Sequence, residues 1–321
     1  MRISGEQASR RRGRDRAGRE SAPRGSLYEE VTERIIAELE AGRLPWVQPW
    51  DSAKAGPGLP RNAASSRAYS GINVLILWGE VIAKAYPRQG WLTFRQALDL
   101  GGCVRKGEHG VTIFYADRFT PKKDENGGEG RGAEPDGEPE PARQVPFLRR
   151  FTVFNVAQCD GLPDRLTAAA APLPEREIVP VAEALIAATR ADFRIGGDRA
   201  FYAPGPDYVQ VPPQPAFRAQ IDYYRTALHE LTHWTGHGSR LGREQSGRFG
   251  SPDYAREELV AELGAAFLCA ALGIKPTVRH ADYIGSWLDV LRGDNRAIFR
   301  AASRASKAAD FLLAFRPEVA P

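Results

Sequence analysis

The stretch "TALHELTHWTGHGSRLG", residues 226–242, contains three of the five histidines in this 321-residue chain. His229, Glu230 and His233 form an H-E-x-x-H pattern inside a helix predicted at about 216–236. Residues four apart on a helix are separated by about 40° of rotation and about 6 Å of rise, so both imidazoles can reach one point. Zinc takes neutral imidazole nitrogens in tetrahedral geometry, and Glu230 can then act as general base for a water molecule that the metal activates. A polar helix can carry the same five residues by chance, so the surrounding sequence has to decide.

The next histidine does not complete the longer pattern H-E-x-x-H-x-x-G-x-x-H. The chain matches it as far as Gly236, but Ser239 occupies the third histidine position and His237 comes two residues early. Because the helix should end at Gly236, we expect His237 to lie at the helix end or in a cleft and not to bind the metal.

A better third ligand is predicted in a second long helix, in the stretch "YAREELVAELGAAFLCAALG" (254–273). Glu257, Glu258 and Glu262 stand among apolar residues there, and a buried carboxylate needs a metal, an imidazole or an arginine as partner. The spacing resembles that of gluzincin-type zinc peptidases, in which a ligating glutamate is followed four residues later by an acid. This resemblance implies that Glu258 is the third ligand and that Glu262 orients one histidine. Glu257 would then face outward, toward Arg256 or solvent. An ordinary ion-pair network is the alternative.

Two further features bear on a peptidase interpretation. The stretch "DYVQVPP" (207–213) resembles the edge strand along which zinc peptidases align an extended peptide, although a plain scaffold strand fits equally well. A side chain that stabilises a developing oxyanion is also expected, and the sequence does not rank Tyr254, Tyr224 and His237 for this role.

Composition is typical of a folded soluble protein, with 42% hydrophobic and 26% charged residues and a net charge of +4. The charge is uneven, because residues 42–106 carry nine lysines and arginines against three acids. Cys103, Cys159 and Cys269 form no CxxC pair, which favours a reducing, cytoplasmic location. Residues 1–25 contain eight arginines and no apolar core, unlike a secretory signal, and no apolar run is long enough to span a membrane.

The order of predicted elements indicates an α+β fold in two domains. Strands are predicted on both sides of a Gly-, Pro- and acid-rich segment at about 120–146, which we interpret as a disordered hairpin insertion within the first domain. A Pro- and Ala-rich linker follows at 167–177. The predicted units are a disordered basic tail (1–25), a first domain (26–165) and a second domain (166–321). Helices are predicted at 26–42, 72–86 and 178–190, the second of which could also begin as a strand, and strands at 110–119, at 149–159 and in three short segments before residue 213.

The basic segment of the first domain interleaves cations with aromatic residues. Aromatic rings that stack on bases, flanked by cations that neutralise phosphates, are what binding to single-stranded nucleic acid requires. Packing in the core is the competing explanation, and we expect it for Trp78. The candidate DNA-binding residues are Arg43, Trp46, Trp50, Arg61, Arg67, Tyr69, Arg88, Trp91, Arg95, Arg105 and Lys106.

The whole set of motifs resembles one family, the ArdC antirestriction proteins of conjugative plasmids. The resemblance covers about residues 27–315 and is carried by "YEEVTERIIAELEAGRLPWVQPW", "GINVLILW", "WLTFRQALDLGGCVRKGEHG" and "TVFNVAQCDGLP", together with the two helical stretches quoted above. It implies an N-terminal domain that binds single-stranded DNA and a C-terminal zincin-like metallopeptidase domain that holds one divalent ion, with zinc as the expected metal. His229 and His233 match the metal histidines of the family, Glu230 its active-site glutamate and Glu258 its third ligand. The family is taken to shield incoming plasmid DNA from host restriction, so the expected partners are single-stranded DNA and a protein substrate such as a restriction component.

Two other functions fit the same sequence. The chain could be a non-enzymatic DNA-binding protein whose metal domain is structural, or a DNA-dependent protease that acts on proteins bound to DNA. The presence of Glu230 favours enzymatic ancestry, because a purely structural zinc site does not need this carboxylate.

Overall fold

A computed structural model describes residues 27–46, 58–119, 145–167, 175–217, 219–274 and 283–316. The predicted basic tail, most of the acidic insertion, Trp50 and most of the predicted linker lie outside these residues. The N-terminal elements are α1 (Leu27–Glu40), β1 (Arg61–Asn62), α2 (Ile72–Ala83), β2 (Gly90–Thr93), α3 (Phe94–Asp99), β3 (Cys103–Val104), β4 (Val111–Phe119), β5 (Val145–Asn155), β6 (Cys159–Asp160) and α4 (Asp164–Thr167). The C-terminal elements are α5 (Glu175–Thr189), β7 (Asp192–Ile195), β8 (Phe201–Ala203), β9 (Tyr208–Val211), α6 (Gln220–Trp234), α7 (Pro252–Ala271), α8 (Ile284–Gly293) and α9 (Ala297–Leu313).

The N-terminal half is built on a four-stranded sheet with the order β1-β2-β5-β4. Strands β4 and β5 pair antiparallel from Val111↔Val153 to Phe119↔Val145, and residues 120–144 between them lie outside the described residues. On one face of the sheet, Trp91 and Val153 pack against Leu77 of α2. Most of the 72–86 stretch is thus the helix α2, and its apolar side chains pack against both this sheet and the core behind it.

The C-terminal half combines helices with a small three-stranded sheet. Its strand order is β7-β9-β8, with β7 parallel and β8 antiparallel to β9. The 207–213 stretch therefore contains the central strand, and its interpretation as an edge strand was wrong. Val209 and Val211 are fully buried against the helices, as expected for side chains of a central strand. The exposed edge nearest the histidine helix belongs to β8.

One hydrophobic core joins the two halves. The Trp46 and Trp287 rings lie 5.7 Å apart, and the same distance separates Trp78 of α2 from Phe267 of α7. Helix α1 also packs against α8, and α2 against α9. The α+β fold predicted from the sequence is confirmed, and its two parts share their interior.

The described part of the chain contains no helix that is long and apolar enough to cross a membrane.

Candidate metal centre

Helices α6 and α7 lie against each other at an unusually close contact. A Cβ placed on Gly264 of α7 would lie 2.5 Å from Cγ2 and 3.0 Å from Oγ1 of Thr232 on α6. Only a residue without a side chain fits this position, because Thr232 is itself fully buried and donates its hydroxyl to the Leu228 carbonyl. This contact between α6 and α7 lies within one or two helical turns of the three candidate ligands.

The three candidate ligands converge as the sequence predicted. His229 Nε2 lies 3.5 Å from Glu258 Oε2, and His233 Nε2 lies 3.4 Å from Glu258 Oε1. One potential ligand atom from each of the three residues falls within 4.8 Å of the other two. Two imidazole nitrogens and a carboxylate oxygen are the donor set of a catalytic zinc site with an open position, and the same donors suit manganese. The residues present therefore fit a divalent metal.

The far nitrogen of each imidazole faces its own carboxylate. His229 Nδ1 lies 3.4 Å from Glu262 Oε2, and His233 Nδ1 lies 3.3 Å from Glu257 Oε1. Such acceptors fix the tautomer that leaves Nε2 free for a metal. The geometry for Glu262 is the one expected, whereas the outward orientation expected for Glu257 was wrong.

Glu257 is buried because the loop after α6 supplies its partners. The Arg243 guanidinium donates to it through Nε and Nη2, at 3.1 Å and 2.8 Å, and also donates to Thr235 Oγ1 and the Thr232 carbonyl. Gln245 Nε2 donates to both Glu257 and the His233 carbonyl. Sequence reasoning missed Arg243 and Gln245, since a loop residue gives no periodic signal of what it contacts.

Charge in the cluster is arranged to hold a cation. Burial lowers the pKa of His229, but hydrogen bonds to Glu258 and Glu262 outweigh it and raise the pKa to about 10. Burial likewise lowers the pKa of His233, while Glu257 and Glu258 raise it to about 9. Burial raises the pKa of Glu258, yet the two histidines hold it well below its usual range. Without a metal, protons on the two imidazoles supply the positive charge that the carboxylates require.

The cluster forms one wall of a cleft of about 310 Å³. Glu230 also lines it, and within the described residues no hydrogen bond or ion pair engages its carboxylate. The opposite wall contains Phe201 and Tyr202 of the β8 edge. A general base beside a metal site, facing the edge of a strand, is an arrangement that can hydrolyse an extended peptide.

The structure ranks the three candidates for oxyanion stabilisation. Tyr254 lines the cleft, and its hydroxyl lies 3.1 Å from that of Tyr283. Burial, with hydrogen bonds to Tyr283 and Glu258, raises the pKa of Tyr254, so its hydroxyl keeps its proton at neutral pH. The Tyr224 hydroxyl is instead bonded to Glu183, and His237 Nδ1 lies 2.8 Å from Ser239 Oγ. His237 is outside the ligand cluster, as expected.

Comparison with known proteins agrees with this geometry. Residues 25–154 match the N-terminal domain of anti-restriction factor ArdC, and residues 180–304 match a zincin-like metallopeptidase domain. The metal-free crystal structure of the antirestriction protein ArdC from plasmid R388 is 41% identical in sequence, with a TM-score of 0.72 over 91% of this chain and 98% of that one. The chain belongs to the ArdC family of antirestriction proteins.

Other members of the ArdC family, or proteins that contain the same region, extend the comparison. The Mn(II)-bound structure of R388 ArdC is 39% identical and matches 92% of this chain and 99% of that one, again with a TM-score of 0.72. The uncharacterized protein y4eC of Sinorhizobium fredii is 43% identical over 89% of this chain and 91% of its own length. A DNA primase TraC of Escherichia coli is 39% identical over 90% of this chain, which spans 27% of the primase.

The residues predicted to bind DNA are spread over several surfaces of this ArdC family member. Trp46 and Trp91 have no exposed surface, so the expectation that their rings are open for stacking is corrected. Trp46 packs against Trp287 of α8, and Trp91 packs against Leu77 of α2 on one face of the sheet, so both rings are part of the core. Arg67 and Tyr69 line one cavity together, and Arg43 is paired with Glu38 in a different groove. Arg61, Arg95, Arg105 and Lys106 are exposed, while Tyr69 and Arg88 are half-buried.

Proposed function

We propose that this protein protects incoming DNA of a conjugative element from restriction, that it binds single-stranded DNA, and that its zincin-like domain is a metal-dependent peptidase. The observation that carries the enzymatic part is the convergence of His229 Nε2, His233 Nε2 and the Glu258 carboxylate in a cleft that also contains Glu230. These three ligands would hold one divalent ion, either zinc or, as in the R388 relative, manganese. We place DNA binding in residues 26–165 and the metal in residues 166–321.

Each residue of the cleft has a distinct task in this proposal. The bound metal would polarise a peptide carbonyl and lower the pKa of a nearby water molecule. Glu230 accepts the proton of that water at its carboxylate and later donates it to the leaving amine. The Tyr254 hydroxyl donates a hydrogen bond to the developing oxyanion, and the β8 edge aligns the peptide backbone.

A proteolysis assay with the Glu230→Gln variant tests the enzymatic part. The amide keeps the size of the carboxylate and removes its basicity, so the variant should retain metal but lose cleavage of fluorescently labelled casein. Glu244→Gln, an exposed carboxamide substitution in the loop after α6, is the matched control and should cleave normally. If no protein is cleaved with zinc or manganese present, with or without single-stranded DNA, the metal domain is not a peptidase.

The same variants separate the three functional interpretations. Loss of antirestriction activity in cells carrying Glu230→Gln would tie protection to proteolysis. Full protection by Glu230→Gln would favour a non-enzymatic DNA-binding protein. Cleavage that requires single-stranded DNA and is faster for DNA-bound proteins would favour a DNA-dependent protease.

A further inference from the structure

A second cavity, of about 500 Å³, lies where the N-terminal half meets α9. Its walls are the segment before α2, strand β4 and helices α7 and α9. A hydrogen bond of 2.7 Å from the Gly71 backbone amide to Ser306 Oγ holds its two sides together. The residues that matter for its chemistry are Arg67, Tyr69, Tyr115 and Asp310.

Aromatic rings stand in and beside this cavity. Tyr115 is 46% exposed, and the neighbouring Phe151 is 40% exposed. Their ring centroids are 6.2 Å apart at an interplanar angle of 85°. Tyr69 lines the cavity with Tyr115, and its ring is half-buried. These rings offer the accessible π-faces that the buried Trp46 and Trp91 lack.

Charges around the rings suit a nucleotide. Arg67 lines the cavity and is exposed, and the exposed Arg149 is the cross-strand partner of Tyr115. Asp310 contributes the single carboxylate, and within the described residues no cation or donor pairs with it. Burial raises the pKa of Asp310, so a hydrogen-bond donor entering the cavity would be favoured.

The larger groove of the N-terminal half is less suited to a phosphate backbone. It measures about 870 Å³ and lies between α1, α2 and β4. Four carboxylates line it, and two of them already neutralise the arginines there: Glu38 pairs with Arg43 and Glu80 with Arg34. The cavity at α9 is lined by one carboxylate, with Arg67 on its wall and Arg149 on the adjacent strand, so fewer acidic groups there would repel a phosphate.

We propose that the cavity between β4 and α9 receives an unstacked base of single-stranded DNA. The base stacks on Tyr69 or Tyr115, Phe151 supports the Tyr115 ring through its perpendicular contact, and Arg67 and Arg149 contact the adjacent phosphates. Asp310 accepts a hydrogen bond from an exocyclic amino group, which cytosine, adenine and guanine carry and thymine lacks. This inference rests on the proposed binding of single-stranded DNA and adds where that strand lies. It extends the DNA surface from residues 26–165 onto α9, since Asp310 belongs to that helix.

Fluorescence anisotropy with the full chain and labelled oligo-dC and oligo-dT tests the proposal. Tyr115→Ala and Phe151→Ala should each weaken binding of oligo-dC about tenfold or more. Phe94→Ala is the matched control, because Phe94 is 52% exposed and makes a comparable edge contact with Phe154 on a different surface. It should bind like the wild type. Asp310→Ala should bring the affinities for oligo-dC and oligo-dT together, whereas the wild type should prefer oligo-dC.

The possible failures are distinguishable. If the wild type binds neither oligonucleotide, the proposal that the protein binds single-stranded DNA is refuted. If it binds and the Tyr115 and Phe151 variants bind equally well, or if Phe94→Ala weakens binding as much as they do, the surface assigned here is wrong. Tyr115 and Phe151 are both substantially exposed, so melting temperatures near that of the wild type should show that their substitutions leave the fold intact.

Discussion

Replacing Gly264 by alanine should disable the metal centre without touching a ligand. The added Cβ would lie 2.5 Å from Cγ2 of Thr232, whereas ordinary carbon contacts begin at 3.4 Å. A displacement of about 0.9 Å between α6 and α7 would relieve the clash, and metal sites tolerate only about 0.2 Å in ligand distance. Overpacking of this kind costs about 1–3 kcal/mol in the free energy of unfolding. We expect the melting temperature to fall by a few degrees and the metal affinity to fall about tenfold or more.

A matched substitution and a compensating one make this prediction specific. Gly285→Ala places the same methyl group on α8, where none of the described residues lies within 4 Å, so it should leave metal binding unchanged and stabilise the helix slightly. Combining Gly264→Ala with Thr232→Ala removes the two closest atoms and should restore part of the metal affinity. Titration calorimetry with zinc and manganese, together with thermal melts, measures both quantities. Wild-type affinity and stability in Gly264→Ala would refute the argument that this contact sets the distance between the helices.

Three further predictions concern the cluster itself. Elemental analysis should show that His233→Ala reduces bound metal from one ion per chain to a small fraction, whereas His237→Ala retains it. Equal metal in both variants would refute the assignment of His233 as a ligand. Arg243→Gln leaves Glu257 buried without its cation and should lower the free energy of unfolding by about 3–5 kcal/mol, measured by urea titration; an unchanged midpoint would show that Gln245 and His233 suffice. Because the raised pKa values of His229 and His233 keep both imidazoles protonated at pH 7, metal uptake should release protons and the apparent metal affinity should rise from pH 7 toward pH 9. The metal-free protein should become less stable between pH 7 and pH 9. The folded-state pKa values of the two histidines lie above the ordinary 6.5, so their protonation stabilises the fold at low pH and stops doing so as the pH passes through these values. Calorimetry in buffers of different ionisation enthalpy measures the proton release, and thermal melts across this pH range measure the stability.

The candidate ligands could be predicted from sequence because their spacing is local. His229 and His233 lie one turn apart on α6, and Glu258 and Glu262 one turn apart on α7, so helical geometry alone places each pair on one face. Gly264 was not singled out from the sequence, although a glycine inside an apolar helix can mark a close packing contact. The wider surroundings of the site depend on contacts that no periodicity encodes. The burial of Glu257, for instance, follows from Arg243 in a preceding loop.

The other errors have the same origin. Trp46 and Trp91 occur among prolines, glycines and arginines, a composition typical of exposed loops, yet Trp46 is buried against Trp287 of α8 and Trp91 against α2 and strands β4 and β5. The central position of β9 was equally unpredictable, because it follows from the parallel pairing with β7, which a single strand's pattern does not show. Tertiary partners decide exposure and strand order, and they lie outside any local window.

The continuous interior, in which Trp46 contacts Trp287 and Trp78 contacts Phe267, should make the two halves unfold as one cooperative unit. An ion bound at the histidines then stabilises the distant β-sheet as well, by RT ln(1 + [L]/Kd), without any change in the sheet's own contacts. Metal availability in the cell would thus set the lifetime of the N-terminal half as well as the occupancy of the metal site. A chelator that strips the ion should make both halves susceptible to proteolytic degradation at the same temperature.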